Sequence, residues 1–340
     1  MEPYETPLPP IPQPKGLRFL FGTWSGRLIL INAFVFLWMS QQSGSLVMPT
    51  SDVLLAFGAK DPVLLTKGEY WRFLTPVFVH IGLIHFAFNS MGLYYVGFQL
   101  EKLLGTAWFL ALYVVAGTFG NIASGVFSVA ISAGASGALF GLLGCGFVVE
   151  RIIGQKMLQL TGQKPRRRMY ASMVGTNLVL GMLIPGIDNA AHIGGMIGGM
   201  LVTIGMLHLK PNRLRPQNPR FAAMAFSVLA LLFVGGGFLA SNPQFVLSRF
   251  KAAIASSKSD SEKYHALTRA LELAPNDTNL RFERIKVLVA NGEGEEARGD
   301  LEELARHPEG ARQLVEFAEE LEKGGHLADA SLIREFVTKT

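Results

Sequence analysis

Cysteine is almost absent: the 340 residues contain one, Cys145. An intramolecular disulfide and any Cys-rich metal site are therefore excluded. Cys145 sits in the apolar run Gly144-Cys145-Gly146, where a buried, inert thiol is the ordinary expectation. Charge is also scarce, at 17% of residues, and mean hydropathy is positive at +0.31. Both values are unusual for a soluble chain of this length. No His-Glu-x-x-His motif occurs, so a zincin-type site has no basis. The opening MEPYETPLPPIPQPKG lacks the basic-then-apolar order of a signal peptide. Its proline content predicts a disordered cytoplasmic arm over 1–26.

What is present is unevenly distributed. Apolar runs dominate from about Arg27 to Ala240, and charge becomes dense from about Lys251. The net charge of +5 is a sum of opposites, with about a dozen excess basic residues before Ser259 and about seven excess acidic ones after it. A pI near 9.3 suits nucleic-acid binding when basic residues form a soluble patch. Here they flank apolar spans, so the lipid bilayer is the expected surroundings and nucleic acid is not an expected partner.

A helix needs about 20 apolar residues to cross the hydrocarbon core. Candidate spans are Leu28–Ser40 with its flanks, Leu83–Leu100, Ala107–Val129, Ser136–Val149, Ala171–Ile184, His192–Leu209 and Phe221–Ala240. The fold class is thus all-α, a polytopic membrane bundle. Basic residues set its orientation. Lys15, Arg18 and Arg27 precede the first span; Lys156, Lys164 and Arg166-Arg167-Arg168 follow the fourth; Lys210, Arg213, Arg215 and Arg220 follow the sixth. A cytoplasmic N-terminus puts all three clusters inside. The loops over Gly44–Val79 and around Ile187–Asn189 then face outward. The expected organisation is the arm (1–26), a membrane core (27–210), a basic loop with a seventh crossing helix (211–245) and a helical domain (251–340) that lies outside.

The tail reads as helical hairpins at about Tyr264–Leu273, Leu280–Ala290, Glu295–Ala305, Gly310–Glu322 and Ala328–Phe336. Ala274-Pro275-Asn276-Asp277 supplies a stop and then a cap. This stretch is similar to the junction of tetratricopeptide repeats, without their Trp, Gly and Tyr positions. Such hairpins ordinarily bind a protein or peptide partner.

Polar residues inside apolar spans carry the functional signal. Ser136, in Gly134-Ala135-Ser136-Gly137, opens the fourth span, where free N–H groups and the positive dipole end can stabilise an oxyanion. Taken alone, a membrane serine is a packing residue. His192 opens the sixth span from the same side, in Ala190-Ala191-His192-Ile193-Gly194-Gly195, and a histidine at that depth is rarely incidental. Gly195 and Gly199 form a small-residue stripe facing a helix that offers Gly137, Gly141 and Gly144, so the backbones can approach closely. His85 and Asn89 lie four apart, on one helix face. They fit hydrogen-bond donors better than zinc ligands, because acidic residues are nearly absent from the spans. Glu69-Tyr70-Trp71-Arg72 suits the interface belt of the first loop, in a structural role.

Together these residues resemble the rhomboid family of intramembrane serine proteases. The matching pieces are Tyr70-Trp71-Arg72, His80-x4-His85-x3-Asn89, Gly134-Ala135-Ser136-Gly137, and Ala191-His192 with Gly195 and Gly199. They cover about Lys67 to Met206. The resemblance implies a six-helix core whose serine helix begins mid-membrane at a water-filled cavity. It implies Ser136 and His192 as catalytic residues, and His85, Asn89 and the Ser136 N–H as oxyanion donors. Gly134, Phe140, Trp71, Arg72, Gly195 and Gly199 support them. Family members often carry Tyr four residues after the serine; Phe140 stands here, able to stack on His192 without a hydroxyl. Transmembrane proteins are the implied substrates, with no metal or organic cofactor, and a bacterial cytoplasmic membrane is the expected location. Two rivals remain at this point, a non-proteolytic client-binding relative and a small transporter.

Overall fold

A computed structural model of the protein describes residues 14–152, 167–184, 186–209 and 218–338. Most of the expected arm, the basic cluster from Lys156 to Arg166 and that from Lys210 to Arg215 lie outside the described residues. The chain divides into two units, Met1–Asn242 and Pro243–Thr340.

The first unit is a bundle of helices, with no strand among the described residues. Its longer helices run over Trp24–Ser43, Leu83–Leu104, Thr106–Phe127 (the central helix), Ser136–Ile152 (the serine helix), Arg167–Leu183, Asn189–Leu209 (the histidine helix) and Pro219–Ser241. The second of these is interrupted by a π-helical turn at Leu93–Gly97. The central helix stops at Phe127 because the chain turns extended at Ser128, so Val129 lies outside it.

Among the described residues, three helices are long and apolar enough to cross on length and composition: Thr106–Phe127, Asn189–Leu209 and Pro219–Ser241. In the first two, 67% and 61% of the apolar window is buried in protein, against 17% in the third. Pro219–Ser241 therefore leaves most of its apolar surface uncovered by the described residues. It touches the central helix through small residues, Gly125 against Ala240 and Gly236 against Ile122. The described part of the serine helix has 17 residues, about 26 Å at the α-helical rise.

Helix starts are chemically fixed. Thr23 caps Trp24–Ser43 by accepting from Gly26 N. Glu101 then satisfies the next free donors, accepting from Trp24 N and Ser25 N at 2.9 Å each and from Ser25 Oγ at 2.8 Å. Asn218, followed by Pro219, opens the last membrane helix. The shared core collects Leu28, Val77, Leu93, Leu112, Tyr113, Ala138, Leu142 and Cys145.

The second unit is helical throughout, over Pro243–Ser256, Asp260–Leu273, Thr278–Ala290, Gly294–Ala305, Pro308–Lys323 and Leu327–Val337. Pro243–Ser256 is a helix that the apolar spacing of the tail does not announce. Asp277 caps its helix by accepting from Leu280 N. Ile285, Leu288, Leu301, Leu304, Leu314 and Ile333 form the core. Asp300, 5% exposed, accepts from Arg281 Nη1 at 2.7 Å and from Arg284 Nε and Nη2 at 2.7 and 2.8 Å. Removing that carboxylate would strand two half-buried guanidinium groups. Asp300→Ala should therefore destabilise this unit by about 3–5 kcal/mol, read as a lower denaturant midpoint and faster amide exchange in Thr278–Ala290.

Candidate active site

The site begins with the approach to the serine helix. Gly134 has φ of 134°, in the region that favours glycine, and its N–H donates to Pro76 O at 2.8 Å. A Cβ at Gly134 would also run into the His85 imidazole. Ser136 follows as the first residue of its helix. Position alone denies its N–H an intrahelical acceptor.

His192 lies in the first turn of its helix and is 7% exposed. Its Nε2 stands 2.9 Å from Ser136 Oγ. Nδ1 is buried and has no hydrogen-bond partner, so the geometry is that of a pair without a third, orienting carboxylate. With Ser136 donating to Nε2, the proton must sit on Nδ1. Phe140 stacks on the imidazole with centroids 4.2 Å apart and planes 7° from parallel.

Glycines let the two helices meet. A Cβ at Gly195 would run into the Gly137 carbonyl, and one at Gly199 into the Gly141 carbonyl. On the opposite side Gly120 of the central helix lies against Ala191 O.

His85 and Asn89 share one helix as expected. Asn89 Nδ2 donates to His85 O at 2.8 Å, which occupies one of its two hydrogens; its Oδ1 is buried without a partner. The His85 imidazole lies against Gly134, two residues before Ser136. His80 is fully buried with its ring 5.5 Å from that of His85. Arg72 and Trp71 do not join this group. Arg72 is buried in the first loop, donating to Leu55 O and Ala59 O at 2.7 and 2.9 Å and pairing with Glu69. Trp71 is exposed. Arg72 reaches the site indirectly, by bracing the loop that presents Pro76 O to Gly134.

Sequence reading missed two charged residues beside the pair. Lys60 is fully buried, and its backbone forms an isolated antiparallel bridge with Ser132. Asp188 caps the histidine helix, accepting from Ala191 N at 3.0 Å and from the Ser124 hydroxyl. Burial pushes the Lys60 ammonium down to about 8, against the opposing pull of Asp188 and Asp61. Burial alone would raise the Asp188 carboxyl, but Lys60, Ser124 and Ala191 N hold it below its usual range. An aspartate four residues before a functional histidine, at a helix start, is a cap signal. Nothing in the sequence announces Lys60. Among the described residues, no His, Cys, Asp and Glu group is arranged for a metal ion.

The Rhomboid domain family matches residues 67–209. The chain is 35% identical over 227 residues to rhomboid protease GluP of Bacillus subtilis (strain 168), covering 64% of this chain and 40% of that protein. It is 32% identical over 194 residues to rhomboid-like protease 1 of Toxoplasma gondii, covering 55% of this chain and 64% of the relative. A third relative, YdcA of B. subtilis, is 32% identical over 151 residues, 44% of this chain and 73% of that protein. The chain belongs to the rhomboid family. It spans 40% to 64% of the length of the first two relatives. The rhomboid match contains Ser136, His192, His85 and Asn89, and ends at the close of the histidine helix.

The helix contact is testable in this rhomboid without reference to activity. Gly195→Ala should cost about 1–3 kcal/mol, because a Cβ there meets backbone rather than a movable side chain. The thermal midpoint should fall, and a structure of the variant should show the Ser136–His192 separation lengthened beyond hydrogen-bond range.

Proposed function

We propose that the protein is an intramembrane serine endopeptidase that cuts transmembrane proteins near the outward side of the bilayer. The observation that carries this reading is the 2.9 Å approach of His192 Nε2 to Ser136 Oγ at the starts of two apolar helices. His192 takes the hydroxyl proton as Oγ attacks the scissile carbonyl, and then gives it to the leaving amine. The Ser136 N–H, His85 and the free Asn89 N–H hold the oxyanion of the tetrahedral intermediate. Water then attacks the acyl-enzyme with His192 again as base, releasing the second product and restoring Ser136. Phe140 keeps the ring in plane; Gly134, Gly195 and Gly199 keep the helices close, and Arg72 holds the first loop.

Substrate helices must unwind to expose a carbonyl, which favours segments rich in helix-breaking residues. On the same reading the N-terminus is cytoplasmic, the membrane is the bacterial cytoplasmic membrane, and Pro219–Ser241 crosses. The helical domain then lies outside, where its repeat-like hairpins would bind a protein or peptide. A client-binding role without proteolysis has no observation in its favour, since both members of the pair are present and in contact.

Cleavage of a reconstituted transmembrane substrate tests the reading. Wild type should cut and should form an adduct with a serine-directed phosphonate; Ser136→Ala should do neither, and His192→Ala should be inactive. Equal cleavage by wild type and Ser136→Ala would sink it. Asn89→Ala and His85→Ala should each lower kcat by about 10²–10³-fold with less effect on KM.

A further inference from the structure

Lys60 and Asp188 have no part in the proton transfers above, yet both are placed where the two functional helices begin. The Lys60 backbone exchanges hydrogen bonds of 2.8 and 3.0 Å with Ser132. Its Nζ donates to Ala130 O at 2.6 Å and to Ser128 O at 3.3 Å. One side chain thereby ties the first loop to the whole segment that runs from the end of the central helix into Ser136. Asp188 does the corresponding work at the other helix. One carboxylate oxygen caps Ala191 N–H, the other takes the Ser124 hydroxyl of the central helix, and Asp188 O accepts from His192 N at 3.2 Å. The two side chains carry opposite charge and hold the same stretch of chain, Lys60 at Ser128, Ala130 and Ser132 and Asp188 at Ser124.

A buried ammonium and a buried carboxylate are each costly alone, and removing one partner leaves the other uncompensated. Apolar residues could join these loops at less cost, so the charges themselves call for a role. His192 supplies one. Its Nδ1 lacks a hydrogen-bonded carboxylate, and a negative charge at the start of its helix favours the imidazolium formed during proton transfer.

We infer that Lys60 and Asp188 are positioning residues for the dyad, a charged clasp that fixes the start of the Ser136 helix against the start of the His192 helix while keeping a carboxylate charged beside His192. This rests on the protease reading, and neither group touches the reacting atoms.

A pH dependence follows. The charged groups facing Lys60 are Asp188 and Asp61, and Asp188 in turn acts on His192. With Lys60 lowered to about 8, the clasp is intact below that pH and loses its positive member above it. Fold stability moves the other way. An unfolded lysine titrates near 10.4, so between these values the folded chain binds fewer protons than the unfolded one and this group makes the fold more stable as pH rises. A rate that falls in that window is therefore not unfolding driven by Lys60.

The test uses the full chain in lipid nanodiscs. Phosphonate labelling of Ser136 and substrate cleavage are followed from about pH 6 to 10 for wild type, Asp188→Asn, Lys60→Met and the double variant. Each single change should slow labelling at neutral pH by about tenfold or more, with the loss in kcat. The double variant should lose less than the product of the two, because neither Lys60 nor Asp188 is then left facing the loss of the other. Wild type should show an alkaline fall centred near 8, absent in Lys60→Met. Wild-type rates in both singles, losses that simply multiply, or a flat wild-type profile would each overturn the clasp. If Lys60→Met does not fold, the wild-type profile and Asp188→Asn decide alone. A wild type that never labels or cleaves removes the protease reading and the clasp with it, whereas an active wild type with indifferent variants removes only the clasp.

Discussion

Backbone contact between the serine and histidine helices, Gly137 against Gly195 and Gly141 against Gly199, sets every other distance in the site. Within a bilayer, apolar side chains gain little by leaving lipid for protein, so helices associate through close packing and polar contacts. Glycine faces maximise that packing. They also bring Cα atoms near enough for a short serine side chain to reach an imidazole. The central helix completes the arrangement by pressing Gly120 on Ala191 O and Gly117 on Val77 and Ala138. Three helices thus enclose the pair with almost no side chain between them.

The loops that lead into the serine and histidine helices answer a different constraint. Backbone groups at and before the starts of the serine and histidine helices lack partners within a helix, and protein atoms satisfy several of them. Pro76 O takes Gly134 N–H, Asp188 takes Ala191 N–H, and Lys60 takes the carbonyls of Ser128 and Ala130. Arg72 does this for the first loop through Leu55 O and Ala59 O, while Asn121 Nδ2 donates to Phe73 O at 2.9 Å. The first loop is therefore a folded part of the scaffold, and it reaches the site through its main chain.

Much of this was legible in the residue order. Ser136 and His192 each open an apolar run, and helix periodicity then places Phe140 one turn beyond the serine and Gly195 and Gly199 on one stripe. These are local relations, and local relations survive translation into structure. Lys60 and Asp188 were not legible as partners because 127 positions separate them and only tertiary folding brings their loops together. The helix Pro243–Ser256 escaped for another reason. Its polar Gln244, Ser248, Arg249 and Lys251 interrupt the apolar spacing, although Val246 and Phe250, four apart, are both buried. Glu101 shows the same limit: its partners, the first N–H groups of a helix 76 residues away, are set by tertiary folding alone.

The stack of Phe140 on His192 has a consequence for the second half of the proposed reaction. While Ser136 is free, two contacts restrain the imidazole, the hydrogen bond to Oγ and the aromatic face. Once Oγ is esterified it can no longer donate a proton, and the ring loses its hydrogen bond to Ser136. Its orientation then depends on the flat surface beneath it, which restricts tilt but permits the ring to slide and turn in plane. Hydrolysis of the ester would thus be governed by how well one phenyl ring keeps a loosened imidazole aimed at incoming water, a demand that acylation does not make.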